Sequence, residues 1–248
     1  MAKKFLSLLK AKNEKPLECP PVTIGFLGDS VTNGCFEVLP ANTDHGTDGY
    51  DVVFDQEHSY SSYLYRTFIS LYPNAQINIV NAGISGDDAP TGLSRMDRDL
   101  MSFHPDLVIV CYGLNDAYNG PDKLDTYKNA LTGILRRILA SGAEAILMTP
   151  QPVCTRVHGR LDSAELRKLA VELAELFHSG VFDRYMNAAR EAAAEAGVPV
   201  CDCYAKWMRM YESGVDITDH LVNYLNHPTR QMHWLFANSL ADTIFMND

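Results

Sequence analysis

Three polar clusters and a distant histidine carry groups suited to acyl transfer: Gly28-Asp29-Ser30, Asn81-Ala82-Gly83, Gly113-Leu114-Asn115-Asp116 and His227-Pro228. A serine at the start of a helix sits among backbone N–H groups that the helix leaves unused, and such donors stabilise charge developing on a carbonyl oxygen. Gly83 can bring a second N–H close because no side chain stands in the way, and the Asn115 amide offers a third donor. Taken singly, each cluster also reads as ordinary turn or N-cap chemistry after a strand. Their combination has chemical sense once a base is added.

Eight histidines compete for that role. His227 precedes Pro228, and a C-terminal helix containing Trp234, Leu235, Phe236 and Leu240 is expected to begin at Thr229. His227 therefore lies on the loop entering a packed element, from which an imidazole can be aimed at a serine far away in sequence. His233 falls on the helix itself and reads as a core or surface residue. His104 precedes Pro105 at the entrance to a strand, the wrong end of the sheet. His45 and His58 lie in or beside a long loop and read as substrate contacts; His158, His178 and His220 have no distinguishing context.

The elements that must position these groups follow from periodicity. Val22 to Leu27 is almost wholly apolar, the pattern of a parallel strand buried on both faces, and it ends at the Ser30 cluster. Further strands are expected at Ile77 to Val80, Leu107 to Cys111, Ala145 to Met148 and Val198 to Cys201. Helical spacing fills Tyr60 to Leu71, Gly92 to Phe103, Leu124 to Leu139, Ser163 to Ala196 with a break near Ser179-Gly180, and Tyr204 to Tyr211. Strands alternating with helices predict an α/β fold, a three-layer α/β/α sandwich around a five-stranded parallel sheet. In such sheets ligands bind at the carboxyl ends of the strands, where the three clusters sit. Residues 31–58 carry no clear period and are expected to form a long loop serving as a lid or pocket wall.

With 248 residues, 46% hydrophobic, one sizeable core is expected, and residues 1–248 read as a single domain with 1–20 as an N-terminal extension. A net charge of −10 argues against nucleic acid as a partner, since a polyanion binder needs a basic face. The six cysteines suggest no disulfide framework, and Cys201 and Cys203 lack the second half of a zinc site, so no metal is expected there. The apolar stretch Phe5 to Leu9 is too short for a signal peptide, and no run approaches the ~20 apolar residues of a membrane span. Cytoplasmic residence is the default expectation, with the N-terminus a frayed or docked amphipathic turn. Leu166, Leu169, Leu173, Leu176 and Phe177 read as a core-facing stripe rather than a subunit interface.

The four blocks, in this order and spanning Gly28 to Pro228, resemble the SGNH (GDSL-type) hydrolase family. The Gly28-Asp29-Ser30-Val31-Thr32 stretch is similar to its nucleophile block, and Asn81-Ala82-Gly83 to its oxyanion glycine block. Gly113-Leu114-Asn115-Asp116 is similar to its oxyanion asparagine block, and His227-Pro228 to its histidine block. The resemblance implies a flavodoxin-like fold and a serine esterase. In it Ser30 attacks the acyl carbon, the Ser30 N–H, Gly83 and Asn115 form the oxyanion hole, and His227 shuttles the proton. It implies no metal or organic cofactor, and a small-molecule ester as partner, with an acetylated sugar or short-chain ester favoured by the absence of a long apolar lid.

One position departs from the family. The aspartate usual three residues before the histidine is replaced by Tyr224. Asn223 and Asn226 flank it, and neither amide supplies negative charge. Three accounts stand: a Ser-His dyad oriented by a carbonyl or amide, an acid recruited from Asp219, Asp216 or elsewhere, or a degraded site; the dyad is favoured. Two rival functions follow. A metal-dependent phosphoesterase could gather Asp29, Asp87, Asp88, Asn115, Asp116 and His227, but lacks the expected Asp-x-His and Gly-Asn-His runs. A carbohydrate- or lipid-binding module could keep the fold without turnover. Dinucleotide binding is poorer still, as no Gly-x-Gly-x-x-Gly follows a predicted strand.

Overall fold

The computed structural model describes residues 2–40 and 50–246. In chain order its strands are β1 (Val22–Gly28), β2 (Cys35–Pro40), β3 (Tyr50–Phe54), β4 (Ile77–Gly83), β5 (Leu107–Cys111), β6 (Glu144–Met148) and β7 (Val200–Cys201). Its helices are α1 (Lys3–Glu14), α2 (Ser30–Asn33), α3 (Tyr60–Leu71), α4 (Ala89–Asp99), α5 (Leu114–Tyr118) and α6 (Leu124–Ala140), followed by α7 (Ala164–His178), α8 (Val181–Ala196), α9 (Cys203–Glu212) and α10 (Arg230–Met246).

Five strands form one parallel sheet in the order β4-β1-β5-β6-β7. Every residue of β1 and β5 is buried, which is why both read as almost wholly apolar runs, whereas the edge strand β4 is half exposed. The chain leaves β1 toward β4 and then crosses back to β5, so the crevice at the carboxyl ends of β1 and β5 is a topological switch point. The carboxyl ends of β1, β4 and β5 carry the three polar clusters. The register pairs Gly28 with both Gly83 and Cys111 and so brings those ends level.

Local signals set the helix boundaries. Asp88 and Ser163 cap α4 and α7 by accepting from the N–H groups of Thr91 and Leu166. The expected break at Ser179-Gly180 separates α7 from α8, with Gly180 at φ 71°. Leu166, Leu173 and Phe177 are buried, with Leu169 and Leu176 half-buried, as a core-facing stripe requires.

Two expectations need correction. The N-terminus, expected as a frayed or docked amphipathic turn, is docked, but as a helix of 12 residues. It buries Phe5 and Leu9, and the Glu144 carboxylate accepts from its Lys4 and Phe5 N–H groups. Residues 31–58 are not a structureless loop: they contain α2, an antiparallel hairpin of β2 and β3, and a 3-10 turn over Gln56–His58. Phe36 and Glu37 of that hairpin contact His233 and Arg230 of α10, and the pairing of β2 with β3 is irregular between Cys35 and Val38. His45 and the rest of 41–49 lie outside the described residues.

Candidate active site

β1 runs without pause into Asp29, whose side-chain Oδ1 accepts from the Val31 N–H at 3.0 Å and caps the short helix α2. Ser30 is the first residue of that helix, so its own N–H has no carbonyl behind it within α2. Ser30 Oγ lies 3.1 Å from His227 Nε2, across 197 positions of sequence. Both residues are buried, 6% and 5% exposed, which removes competing water from their hydrogen bond.

His227 is held by a loop that the sequence braces locally. Asn223 Oδ1 accepts from the N–H groups of Leu225, Asn226 and His227, each at 3.0 Å, which fixes the turn that Tyr224 enters at φ 55°. The Val222 N–H donates to the His227 carbonyl at 2.8 Å, and Gln151 Nε2 donates to the Asn226 carbonyl at 2.6 Å. The two asparagines beside Tyr224 therefore shape the backbone of the histidine loop without touching the imidazole; Asn226 Oδ1 accepts from Asn223 Nδ2.

His227 Nδ1 lies 2.8 Å from the Phe36 carbonyl oxygen. A carbonyl can only accept, so Nδ1 carries the proton and Nε2 of the neutral ring is left to accept from the Ser30 hydroxyl. Burial lowers the His227 pKa from 6.5, opposed by the Phe36 carbonyl and the charge of Glu37. The β2–β3 register shifts between Cys35 and Val38, so Phe36 and Glu37 fall on an irregularity of the hairpin. Such a bulge frees a carbonyl from the ladder and re-aims it. Arg230 clamps the same bulge: it donates to both Glu37 oxygens and to Asp55, and its guanidinium sits 4.3 Å from the Phe36 ring centroid.

The end of β4 packs against α2, the helix that begins with Ser30. A Cβ on Gly83 would stand 2.3 Å from the Asn33 nitrogen, so only glycine lets the end of β4 lie against α2. In this structure the Gly83 N–H donates to Asn81 Oδ1 at 3.0 Å, while Asn81 Nδ2 donates to the Thr32 carbonyl at 2.8 Å. Asn115 Nδ2 donates one hydrogen to the Asp87 carbonyl at 2.7 Å, which orients the amide and leaves its second hydrogen free to point elsewhere.

Asp216 and Asp219, considered as orienting acids, lie elsewhere. They take Arg156 at 2.6 and 2.8 Å, and Asp219 also approaches His158 Nε2 at 3.3 Å. Tyr224, in the usual acid position, stacks on His158 with ring centroids 3.9 Å apart and accepts from Arg160. Of the other histidines, His58 pairs with Asp55, and His233 is fully buried, accepts from the Tyr60 N–H and has its pKa lowered to about 3 by burial. Sequence reasoning missed Phe36, because a backbone carbonyl has no residue-type signature, and missed Glu37 and Arg230, whose pairing spans 193 positions. Burial also pushes Asp29 and Asp116 up to about 7. Among the described residues no group of three or more His, Cys, Asp or Glu side chains is arranged to hold a metal ion.

A cavity of about 280 Å³ adjoins the site, lined by Leu114, Asn115, Tyr118, Val153, Leu169, Leu173 and Asn226. It is bounded by Asn115 on one side and by the neighbour of His227 on the other. Its other walls are largely aliphatic, from α5, α7 and the segment after β6.

A profile of the GDSL-like Lipase/Acylhydrolase family matches residues 26–235. An acetylxylan esterase of Geobacillus stearothermophilus is 28% identical over 134 residues, which cover 50% of this chain and 58% of that protein. An arylesterase of Vibrio mimicus is 33% identical over 90 residues, covering 34% of this chain and 44% of that one. The chain thus matches about half the length of these curated relatives. Among solved structures, an acetylxylan esterase from Geobacillus stearothermophilus superposes with a TM-score of 0.66 at 20% identity, covering 91% of this chain and 95% of that one. A two-domain esterase active on acetylated mannans gives 0.66 at 18% identity, covering 98% and 54%. At these identities the structural likeness speaks to the fold.

Proposed function

The chain belongs to the GDSL-like lipase/acylhydrolase family, and from that premise we propose that it is a serine esterase that removes a small acyl group from a polar carrier, with an acetylated sugar or a short-chain ester as substrate. The observation that carries this reading is the 3.1 Å contact between Ser30 Oγ and His227 Nε2, with Nδ1 held by the Phe36 carbonyl. His227 Nε2 takes the hydroxyl proton as Ser30 Oγ attacks the acyl carbon, and gives it to the departing alcohol. Water then repeats the sequence on the acyl-enzyme. The Ser30 N–H and the Asn115 amide stabilise the tetrahedral oxyanion, and the Gly83 N–H joins them by sharing its bond to Asn81 Oδ1. The dyad works with orientation supplied by a carbonyl, and Glu37 provides a negative charge that favours the imidazolium.

The choice of an acetyl or short acyl group is supported by a relative named for acetylated xylan and by the cavity of about 280 Å³ beside Asn115. Residence in the cytoplasm and action as a single domain belong to the same proposal. The described residues contain no helix long and apolar enough to cross a membrane.

Purified protein is expected to hydrolyse p-nitrophenyl acetate and acetylated xylo-oligosaccharides, with Ser30→Ala reducing kcat by at least about a thousandfold. A fluorophosphonate is expected to label Ser30 stoichiometrically. A folded sample that neither labels nor turns over either substrate would favour a binding module. Activity that survives Ser30→Ala and dies with a chelator would favour the phosphoesterase.

A further inference from the structure

Beneath the donor groups lies a buried ion pair that this reaction does not itself use. Arg95, on α4, is 7% exposed and Asp87, in the turn after β4, is 6% exposed. Arg95 Nε donates to Asp87 Oδ2 at 2.8 Å, and Nη2 donates to the same oxygen. Nη2 also donates to the Gly28 carbonyl at 3.2 Å and lies 3.0 Å from the Tyr112 hydroxyl, which donates to Asp87 Oδ2 at 2.7 Å. Nη1 reaches Asp99 at 3.2 Å. Gly92 makes room for this cluster, since a Cβ there would stand 2.3 Å from the Tyr112 hydroxyl oxygen.

The contacts lead to the reacting groups from two directions. Gly28 is the last residue of the strand that presents Ser30, and its carbonyl also accepts from the Ile84 N–H at 3.1 Å, one residue past Gly83. The Asp87 backbone carbonyl is the acceptor that orients Asn115 Nδ2 at 2.7 Å. One guanidinium therefore ties together the ends of β1 and β4 and the residue on which Asn115 hangs.

Resting on the oxyanion reading given above, we infer that Arg95, acting through Asp87 and Gly28, is the positioning residue of the oxyanion hole. Its fork fixes the Asn115 amide relative to Ser30, and its charge cancels the Asp87 carboxylate beneath a site where negative charge must develop. Burying a guanidinium is costly, and a surface pair would serve to pin α4 on the sheet; a planar fork with four partners gives angular precision that a surface pair does not. Oxyanion catalysis depends on that precision, because donors must already point at the place the charge will occupy.

The test compares kcat and KM for p-nitrophenyl acetate, using the full chain, in Arg95→Lys and Arg95→Met, each made in the parent and in Asn115→Ala. In the parent, kcat is expected to fall by about ten- to a hundredfold, up to the lower end of the range for outright loss of an oxyanion donor, with KM changed by less than about threefold. In the Asn115→Ala background the same substitution is expected to cost less than about threefold, because the group being positioned is gone. Arg95→Met combined with Asp87→Asn is expected to recover part of the kcat lost in Arg95→Met alone, as the uncancelled carboxylate is removed. Equal fold losses in both backgrounds, or a raised KM with kcat preserved, would overturn the inference. If Arg95→Met does not fold, Arg95→Lys and the neutral double variant carry the same comparison. Ser30→Ala measured alongside keeps the two readings apart: activity surviving it counts against the esterase, whereas activity lost with it while the Arg95 effects stay independent of Asn115 counts against this inference alone.

Discussion

The Phe36 carbonyl oxygen accepts from His227 Nδ1 at 2.8 Å, in the place where a carboxylate usually orients a catalytic imidazole. A carbonyl fixes the tautomer as well as a carboxylate does, but it contributes a dipole in place of a full charge to the imidazolium. The charge comes from one residue further along the bulge, Glu37, and is shared with Arg230. Base strength and geometry are thus supplied by different groups.

The first consequence is a pH profile. Burial holds the His227 pKa below 6.5, and only the neutral ring can accept the Ser30 proton. kcat/KM is expected to rise with pH, with its acid limb centred below 6.5 and a plateau reached by neutrality. A limb centred above 7 would contradict a buried, neutral base.

Glu37 favours the charged ring, so Glu37→Gln is expected to move that limb to still lower pH. Arg230, left with Asp55 as its only acidic partner of the two, pushes in the same direction. Because the carboxylate is about a third exposed, the loss in kcat is expected to be about two- to fivefold, with the shift in the limb as the sharper readout. An unchanged profile would remove Glu37 from any electrostatic role.

Asp216 and Asp219 engage Arg156, and the pairing holds the Asp216 pKa low. Asp216→Asn and Asp219→Asn are expected to leave kcat within about twofold, as for other exposed ion pairs. A drop beyond about a hundredfold in either would restore it as the orienting acid, since neutralising that residue in a triad costs about ten-thousandfold.

The cavity beside Asn115, about 280 Å³ and walled largely by aliphatic side chains, suits a small acyl group. p-Nitrophenyl acetate is expected to be hydrolysed faster than the octanoate or longer homologues. Leu169→Trp, at a half-buried wall position, is expected to depress turnover of butyrate and hexanoate esters by about tenfold while sparing acetate. A rate that climbs steadily to eight carbons and beyond would reverse this order.

Asp29 has its pKa raised to about 7 by burial, against 3.8 for the free side chain. The folded state therefore holds a proton that the unfolded chain has released, and stability from this group declines as pH rises from about 4 through 7. Asp29→Asn keeps the acceptor for the Val31 N–H and removes that decline. The difference in thermal midpoint between variant and parent is expected to grow in favour of the variant from pH 5 to pH 8. A difference that is flat with pH would mean Asp29 ionises normally.

Much of this protein was decided by local sequence. Apolar runs buried on both faces specified β1 and β5, capping by Asp88 and Ser163 specified where α4 and α7 begin, and Gly180 specified the break before α8. Ser30 begins α2, Gly83 ends β4, Asn115 is the second residue of α5 and His227 lies on the loop before α10, so local sequence already places these four candidates at or near element junctions. The structure alone decided what holds the histidine. A carbonyl is present at every residue, so nothing in the letters 31–58 marked Phe36, and the hairpin that aims it is shaped by a bulge and by Arg230, nearly two hundred residues away. Short-range periodicity is written into a sequence, whereas pairings between distant residues emerge only when the sheet and the C-terminal helix close around them.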